Sequence, residues 1–204
     1  HGLKVVYDAD HAVGSTYRGS SLLSYGDMST TSLHATKLLH AVEGGAVISR
    51  TAQWDERVHY LRNFGHDGPV EFNGVGINGK MSEFHAAVGL VNLRHFEDIL
   101  AHRKECHALY DAALKHTAVR KLEAPEGTNW NCSYYPVLFQ SESALKHAFE
   151  ALQADGITAR RYFYPSLDTL DYVQDADLPV AHDVTRRVAC LPLMYQLTAD
   201  DIER

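Results

Sequence analysis

The sequence has few cysteines and no long hydrophobic run. Its three cysteines, Cys106, Cys132 and Cys190, are odd in number and far apart, so they predict neither a disulfide framework nor a Cys-x-x-Cys zinc site. No apolar stretch approaches the roughly 20 residues that a membrane-spanning helix needs. The first residues, His1-Gly2-Leu3-Lys4, lack signal-peptide character. These features together predict a protein of the reducing cytoplasm.

The sequence also lacks an excess of positive charge. It has 26 acidic and 19 basic residues, a net charge of −7 and a pI near 6.0, so we expect no bulk attraction to nucleic acid or to an anionic membrane. A glycine-rich stretch at 63–80 is predicted to be a long exposed loop, and its glycines are not followed by the Lys-Ser/Thr pair of a phosphate-binding P-loop. Although there are 13 histidines, His102 and His107 are five residues apart, which does not predict a helical metal pair.

A single lysine, Lys37, stands between two short runs that are typical of β-strands. The first run, 29–33, is rich in β-branched and small residues, and the second is 46–48. Gly44 and Gly45 precede the second run and supply the tight turn. A lysine held between two buried strands is expected to lose hydration, which favours the neutral amine that forms a Schiff base. The residue pattern alone leaves a second interpretation open, a surface lysine at the start of a helix.

The wider pattern alternates strands with helices and predicts an α/β fold. Strands are predicted at 3–7, 28–33, 45–49, 134–139, 157–164 and 189–193, and helices at 51–62, 82–93, 143–154 and 179–187, with a further long helix that ends near 115. The first strand is expected to be buried and parallel, which places Asp8 and His11 at its carboxyl end, where α/β sheets bind ligands. Asp8 as a simple cap of the next segment is the alternative. We predict two domains, 1–98 and 99–204.

Four motifs, in this order, resemble those of the DegT-type (DegT/DnrJ/StrS) sugar aminotransferases. They are Tyr-Asp-Ala-Asp-His-Ala-Val-Gly at 7–14, Ser-Leu-His-Ala-Thr-Lys at 32–37 followed by Glu-Gly-Gly-Ala at 43–46, Gly-Ile-Asn-Gly-Lys-Met-Ser-Glu at 76–83, and Leu-Pro-Leu at 191–193. Together they extend along nearly all 204 residues. The resemblance implies an α/β fold consisting of part of the large domain of a fold type I PLP-dependent transferase and a small α+β C-terminal domain.

The same resemblance implies pyridoxal 5′-phosphate as the cofactor and gives a role to each of five residues. Lys37 is the Schiff-base lysine and moves a proton during the reaction. Asp8 pairs with the pyridine nitrogen, and His11 lies against the cofactor ring or its hydroxyl. Ser32 binds the cofactor phosphate, and Asn78 binds the phosphate of the neighbouring subunit's cofactor. Without the resemblance, Ser32 would be an ordinary strand serine.

Three positions bear on how closely the chain follows the family. Asp10 replaces the second alanine of the Asp-Ala-Ala-His/Gln motif and adds a charge near the site. Lys80 replaces the arginine of Gly-x-Asn-x-Arg, which keeps the charge but loses the planar guanidinium fork. Relatives that act as sugar dehydratases carry histidine where this chain has Lys37, so the lysine favours transamination.

The resemblance implies a homodimer with shared active sites. It also implies glutamate as the amino donor and a nucleotide-linked keto sugar, such as a dTDP-4-keto-6-deoxyhexose, as the acceptor, in amino-sugar or surface-polysaccharide biosynthesis. The residues select neither thymidine over uridine nor carbon 4 over carbon 3. The strand-like start at 3–7, without a cap or linker, predicts that an N-terminal part with further cofactor ligands is missing. The alternative is therefore a non-catalytic or regulatory relative that keeps the fold.

Overall fold

The computed structural model describes residues 1–173 and 177–204. Within these residues the strands are β1 (Val6–Asp8), β2 (Thr16–Tyr17), β3 (Ser20–Ser21), β4 (Met28–Ser32), β5 (Gly45–Ser49), β6 (Arg120–Lys121), β7 (Thr128–Asn129), β8 (Tyr135–Leu138) and β9 (Val188–Leu191). The helices are α1 (Ala52–Leu61), α2 (Glu83–Arg94), α3 (Phe96–Ala113), α4 (Glu142–Ala154), α5 (Pro179–Arg187) and α6 (Ala199–Glu203). Short 3-10 turns occupy Leu22–Ser24 and Leu167–Thr169.

The chain packs as two units. The first comprises His1–Ala101 together with Pro125–Asn131, and the second comprises His102–Ala124 and the described part of Cys132–Arg204. The first unit is therefore discontinuous in sequence. The boundary after residue 101 and the domain boundary predicted after residue 98 both lie within α3.

The first unit contains the sheet that flanks Lys37. Its strand order is β1-β4-β5, with β1 parallel and β5 antiparallel to β4. The β-branched run predicted at 29–33 forms β4, and the run predicted at 46–48 forms β5. These two strand predictions are confirmed. A second small sheet, β3-β2-β7, joins the hairpin at Thr16–Ser21 to the returning segment Pro125–Asn131.

The predicted burial of the first strand is wrong for this chain. The strand begins at Val6 rather than Leu3, and Val6 and Tyr7 are 54% and 48% exposed. Among the described residues β1 pairs with β4 on one edge, and its apolar side chains stay accessible to water. The expectation that Lys37 lies between two buried strands also fails in part, because β5 is exposed from Gly45 to Val47.

Serine and threonine caps set the starts of three helices. The hydroxyl of Thr51 accepts the Trp54 N–H at the start of α1. Ser82 and Ser141 have the same role for α2 and α4, where they accept N–H groups three residues later. Each cap satisfies a backbone donor that has no partner inside its helix. No helix in the described part of the chain is both long enough and apolar enough to cross a membrane.

The second unit has its core between the antiparallel sheet β6-β8-β9 and its helices. Val137 on β8, Ala189 on β9, Leu145 on α4 and Tyr110 on α3 all belong to this buried cluster. The hydroxyl of Tyr135 donates to the carboxylate of Asp111, which is also bound by Lys121. Alternation on β8 explains the packing, because Tyr135 and Val137 point to the core.

The strand predicted at 157–164 is wrong. The structure has an isolated bridge there, in which Arg160 and Cys190 exchange two backbone hydrogen bonds. The next residue, Arg161, is held instead by Glu142 and the Arg186 carbonyl. The β propensity of a segment is a weak and context-dependent preference, and here the segment forms a single bridge instead of a strand.

Replacing Leu145 by alanine should destabilise the second unit by about 2–5 kcal/mol, because its fully buried side chain would leave a cavity. The measurement is the free energy of unfolding in urea. Leu122→Ala is the matched control: Leu122 belongs to the same unit but is 63% exposed, so its loss should cost less than about 0.5 kcal/mol. Equal losses for the two variants would contradict the burial of Leu145 in the core of this unit.

Candidate active site

Two polar side chains lie at the same edge of the first sheet because their strands are parallel. Asp8 ends β1 and Ser32 ends β4, and residues Asp8 and Thr30 are directly paired across the two strands. The Asp8 carboxylate accepts the backbone N–H of Asp10, at 3.2 Å, and the Ser32 hydroxyl accepts that of His34, also at 3.2 Å. The carboxyl edge predicted from sequence therefore carries both groups.

Lys37 lies in the connection that follows β4. Leu33 holds the two ends of this connection together, since its N–H binds the Gly44 carbonyl and its own carbonyl binds the Ala41 N–H. The Lys37 N–H closes a tight turn onto the His34 carbonyl at 2.9 Å. The lysine consequently belongs to a turn and not to the start of a helix. Its side chain is 14% exposed.

The Lys37 amine meets an imidazole and a carboxylate. Its Nζ lies 3.1 Å from Nε2 of His11 and 3.7 Å from a carboxylate oxygen of Asp10. The contact with His11 is a hydrogen bond, and the contact with Asp10 is an ion pair. The structure thus brings together Lys37, His11 and the residue that departs from the family motif, Asp10. The sequence indicated an extra charge near the site, and the structure shows that this charge faces the amine.

The environment of His11 favours the neutral form of its imidazole. Burial lowers the pKa of His11, the charge of Lys37 lowers it further, and the carboxylates of Asp10 and Asp8 oppose these effects. A neutral imidazole has one bare ring nitrogen that accepts a hydrogen bond. A neutral imidazole that accepts from the Lys37 ammonium through Nε2 carries its ring proton on Nδ1.

Asn78 does not belong to this group. It lies in the exposed glycine-rich segment. There its side-chain oxygen accepts a hydrogen bond from the Lys80 ammonium at 2.5 Å, and its backbone forms an isolated β-bridge with Asn63. Lys80 also lies over the ring of Phe64, 4.3 Å from its centre. The segment contains no helix, as predicted, and Gly65 is required where the chain folds back on itself: a Cβ there would lie 1.9 Å from the Gly74 oxygen.

One residue near the site has no signal in the sequence. Asn131 is 1% exposed and lies in the returning segment of the first unit. Its side-chain nitrogen donates to the carbonyls of His11, at 2.8 Å, and Val13, at 2.7 Å. A buried asparagine has no motif of its own, and only the three-dimensional fold reveals a partner so distant in the chain. The described residues contain no group of three or more His, Cys, Asp or Glu side chains that could hold a metal ion.

The comparison with known proteins gives the class of protein. The profile of the DegT/DnrJ/EryC1/StrS aminotransferase family matches residues 1–204, and the chain belongs to this family. A dTDP-4-amino-4,6-dideoxy-D-glucose transaminase of Shigella dysenteriae is 36% identical over 210 residues, which cover 100% of this chain and 57% of that protein.

Solved structures agree with this assignment. The aminotransferase TlmJ from Streptoalloteichus hindustanus has a TM-score of 0.90 at 26% identity, over 99% of this chain and 56% of TlmJ. DesI, crystallised with its TDP-sugar product, has a TM-score of 0.88 at 33% identity, over 100% of this chain and 54% of DesI. The predicted α/β fold of the type I PLP-dependent transferases is confirmed. The chain spans little more than half the length of these relatives.

Proposed function

We propose that this chain is part of a pyridoxal-phosphate-dependent aminotransferase that acts on a nucleotide-linked keto sugar. The observation that carries the proposal is the contact of the Lys37 amine with His11 beside the carboxyl ends of β1 and β4. It occurs in a chain that matches a sugar-aminotransferase family along its whole length. A cytoplasmic role in amino-sugar or surface-polysaccharide biosynthesis goes with this activity.

The residues present fit one side of the cofactor. The fit rests on the chemistry of the groups along one edge of the sheet: an amine on Lys37, a carboxylate on Asp8, an imidazole on His11 and a hydroxyl on Ser32. In this assignment Asp8 holds the pyridine nitrogen and Ser32 holds the phosphate, which suits the donor and acceptor capacity of these groups. The remaining cofactor ligands are expected outside this chain.

When bound, pyridoxal phosphate supplies an electron sink for the electron pair of the donor's C–H bond. The chain's own groups then do two things. Lys37 holds the cofactor, and its Nζ takes up the proton from the donor carbon and later returns one to the new amine-bearing carbon. His11 orients this nitrogen through the 3.1 Å hydrogen bond, and Asp10 balances its charge when it is protonated.

Glutamate is the proposed amino donor, and a dTDP-linked 4-keto-6-deoxyhexose is the proposed acceptor. The Shigella relative supports the nucleotide and the position, since its name specifies a dTDP-4-amino-4,6-dideoxy sugar. The full-length protein should convert a 4-keto sugar nucleotide and glutamate to the amino sugar and 2-oxoglutarate. A panel of dTDP- and UDP-linked 3-keto and 4-keto sugars, followed by mass spectrometry, decides between the substrates.

Visible absorbance separates the enzyme from a non-catalytic relative. The full-length protein should be yellow, and borohydride reduction should fix the cofactor covalently to Lys37, as shown by peptide mass spectrometry. A colourless protein that gains no visible absorbance with added pyridoxal phosphate would instead support the alternative, in which the fold is kept without transamination.

The working unit is proposed to be a homodimer in which Asn78 reaches the neighbour's cofactor phosphate. Asn78 is exposed, and the segment around it presents large apolar side chains to solvent. These side chains, with those of the following helix, are Val70, Phe72, Val75, Ile77, Phe84, Leu90, Val91 and Leu93. Exposed apolar area of this extent is typical of an interaction surface, and a two-fold interface would build two equivalent sites.

Mixing two inactive variants tests the shared site. Lys37→Ala and Asn78→Ala proteins should each be impaired, and exchange of their subunits should restore about a quarter of wild-type activity, because half of the randomly formed dimers contain one intact site of two. Turnover is measured before and after exchange, and mass spectrometry of isotope-labelled subunits confirms that mixed dimers form. If mixed dimers form and activity does not return, Asn78 does not complete a neighbouring site.

A further inference from the structure

The segment that carries Asp10 and His11 is fixed by a residue about 120 positions away in the chain. Asn131 directs both N–H groups of its side-chain amide to backbone carbonyls of this segment, those of His11 and Val13. Its own backbone N–H donates to the buried hydroxyl of Ser15 at 3.1 Å. One nearly inaccessible residue therefore contacts three positions of a single loop.

The rest of this loop, 9–15, is held mainly by short-range backbone bonds. The Ala12 N–H binds the Ala9 carbonyl, and the Ser15 N–H binds the Ala12 carbonyl, both at 2.9 Å. Gly14 has a φ of +83°, and a Cβ there would press on Leu100 at 3.1 Å. Turns of this kind define a local shape, but they do not by themselves fix the loop against the turn that contains Lys37.

We propose that Asn131 is a positioning residue of the active site, which fixes the loop so that His11 and Asp10 face the Lys37 amine. The loop geometry stands on the structure alone, whereas its effect on cofactor binding rests on the proposed function. Asn131 acts through His11: it binds the His11 backbone carbonyl, and the His11 imidazole contacts the amine.

The chemistry of the contact requires an amide. Carbonyl oxygens accept hydrogen bonds, so the atom that faces both of them must be a donor with two N–H groups. Leucine has a broadly similar size to asparagine but donates nothing. An ionised aspartate would place a negative charge against two carbonyl oxygens, and its protonated form would regain a single donor.

Amide hydrogen exchange in the full-length protein tests the inference without reference to activity. In Asn131→Leu the amides of Ala12 and Ser15 should exchange about tenfold or more faster than in the wild type, while the amide of Ala9, which binds the Thr30 carbonyl of β4, changes less. Asn129→Leu is the matched control, because Asn129 lies in the same segment and is exposed, and its loop exchange should stay within about twofold of wild type.

A pH comparison separates positioning from general support of the fold. In Asn131→Asp, burial beside two carbonyl oxygens should raise the pKa of the new carboxyl, so that it gains a proton, and with it a donor, between about pH 8 and about pH 5. Over this range the amides of Ala12 and Ser15 should exchange at rates that approach those of the wild type. This comparison within one protein also decides the matter if Asn131→Leu fails to fold. The affinity for pyridoxal phosphate, measured by absorbance, should fall about tenfold in Asn131→Leu and recover in parallel in Asn131→Asp.

The inference is overturned if loop exchange in Asn131→Leu equals that of the wild type, or if all protected amides of the first unit speed up equally. A pH-independent defect in Asn131→Asp would also overturn it. If the wild-type protein binds no pyridoxal phosphate, the proposed function fails, and the exchange measurements still decide whether Asn131 fixes the loop.

Discussion

Replacing Lys37 by alanine should abolish transamination while leaving the fold intact. The amine is expected to hold the cofactor and to move the proton, so its loss removes both roles and should lower turnover by on the order of 10⁴-fold or more. The fold should survive because the residue lies in a turn closed by its backbone, and that backbone bond to the His34 carbonyl does not depend on the side chain. Turnover, visible absorbance and circular dichroism are the measurements.

The matched control for this prediction is Lys146→Ala. Lys146 forms an exposed pair with Glu142 on α4, and exposed pairs of this kind contribute little to stability, so activity should stay unchanged. Normal turnover in Lys37→Ala would show that another group holds the cofactor, and the assignment of the site would be wrong.

Asp8→Asn should slow the reaction by roughly 10²–10⁴-fold, the range expected for a lost acid–base or electrostatic group. The carboxylate is expected to keep the pyridine nitrogen protonated, and an amide cannot supply that charge. The substitution is mild for the fold, since an amide oxygen can still accept the Asp10 N–H that the Asp8 carboxylate binds at 3.2 Å. Turnover should therefore fall while the melting temperature changes little.

A comparison with Asp10→Asn makes the Asp8 prediction specific. Asp10 forms the ion pair with Lys37, at 3.7 Å, so a general loss of negative charge around the amine would make Asp10→Asn the more damaging change. If pairing with the ring nitrogen is the dominant effect, Asp8→Asn is the slower enzyme. A small effect of Asp8→Asn with full cofactor occupancy would count against the pairing.

Sequence reasoning located the parts of the site that depend on local pattern. The strands on either side of Lys37 follow from β-branched and small residues, and Asp8 follows from the end of its strand, whereas Ser32 follows only from the family resemblance. The parallel pairing of β1 and β4 then brings their ends to one edge. Local propensity and motif spacing are enough to predict these strands and their ends, because each strand is short and its turn residues are close in sequence.

The parts that depend on distant partners could not be predicted. Nothing near Asn131 indicates that it binds the His11 carbonyl, because buried side-chain hydrogen bonds have no periodicity in sequence. The strand expected at 157–164 failed for the same reason, since Arg161 finds its partners on α4 and α5. The exposure of β1 likewise depends on which elements lie beside it, not on its own apolar character.

The discontinuity of the first unit makes the geometry of the candidate site depend on a segment far along the chain. Strands β4 and β5 pair after a short loop closure, so the turn that holds Lys37 can form early. The loop that carries His11 is bound by a residue 118 to 120 positions further along the chain, and closing a loop of that length carries a larger entropic cost. A chain that ends at residue 101 would lack Asn131, and with it the two hydrogen bonds to the carbonyls of His11 and Val13.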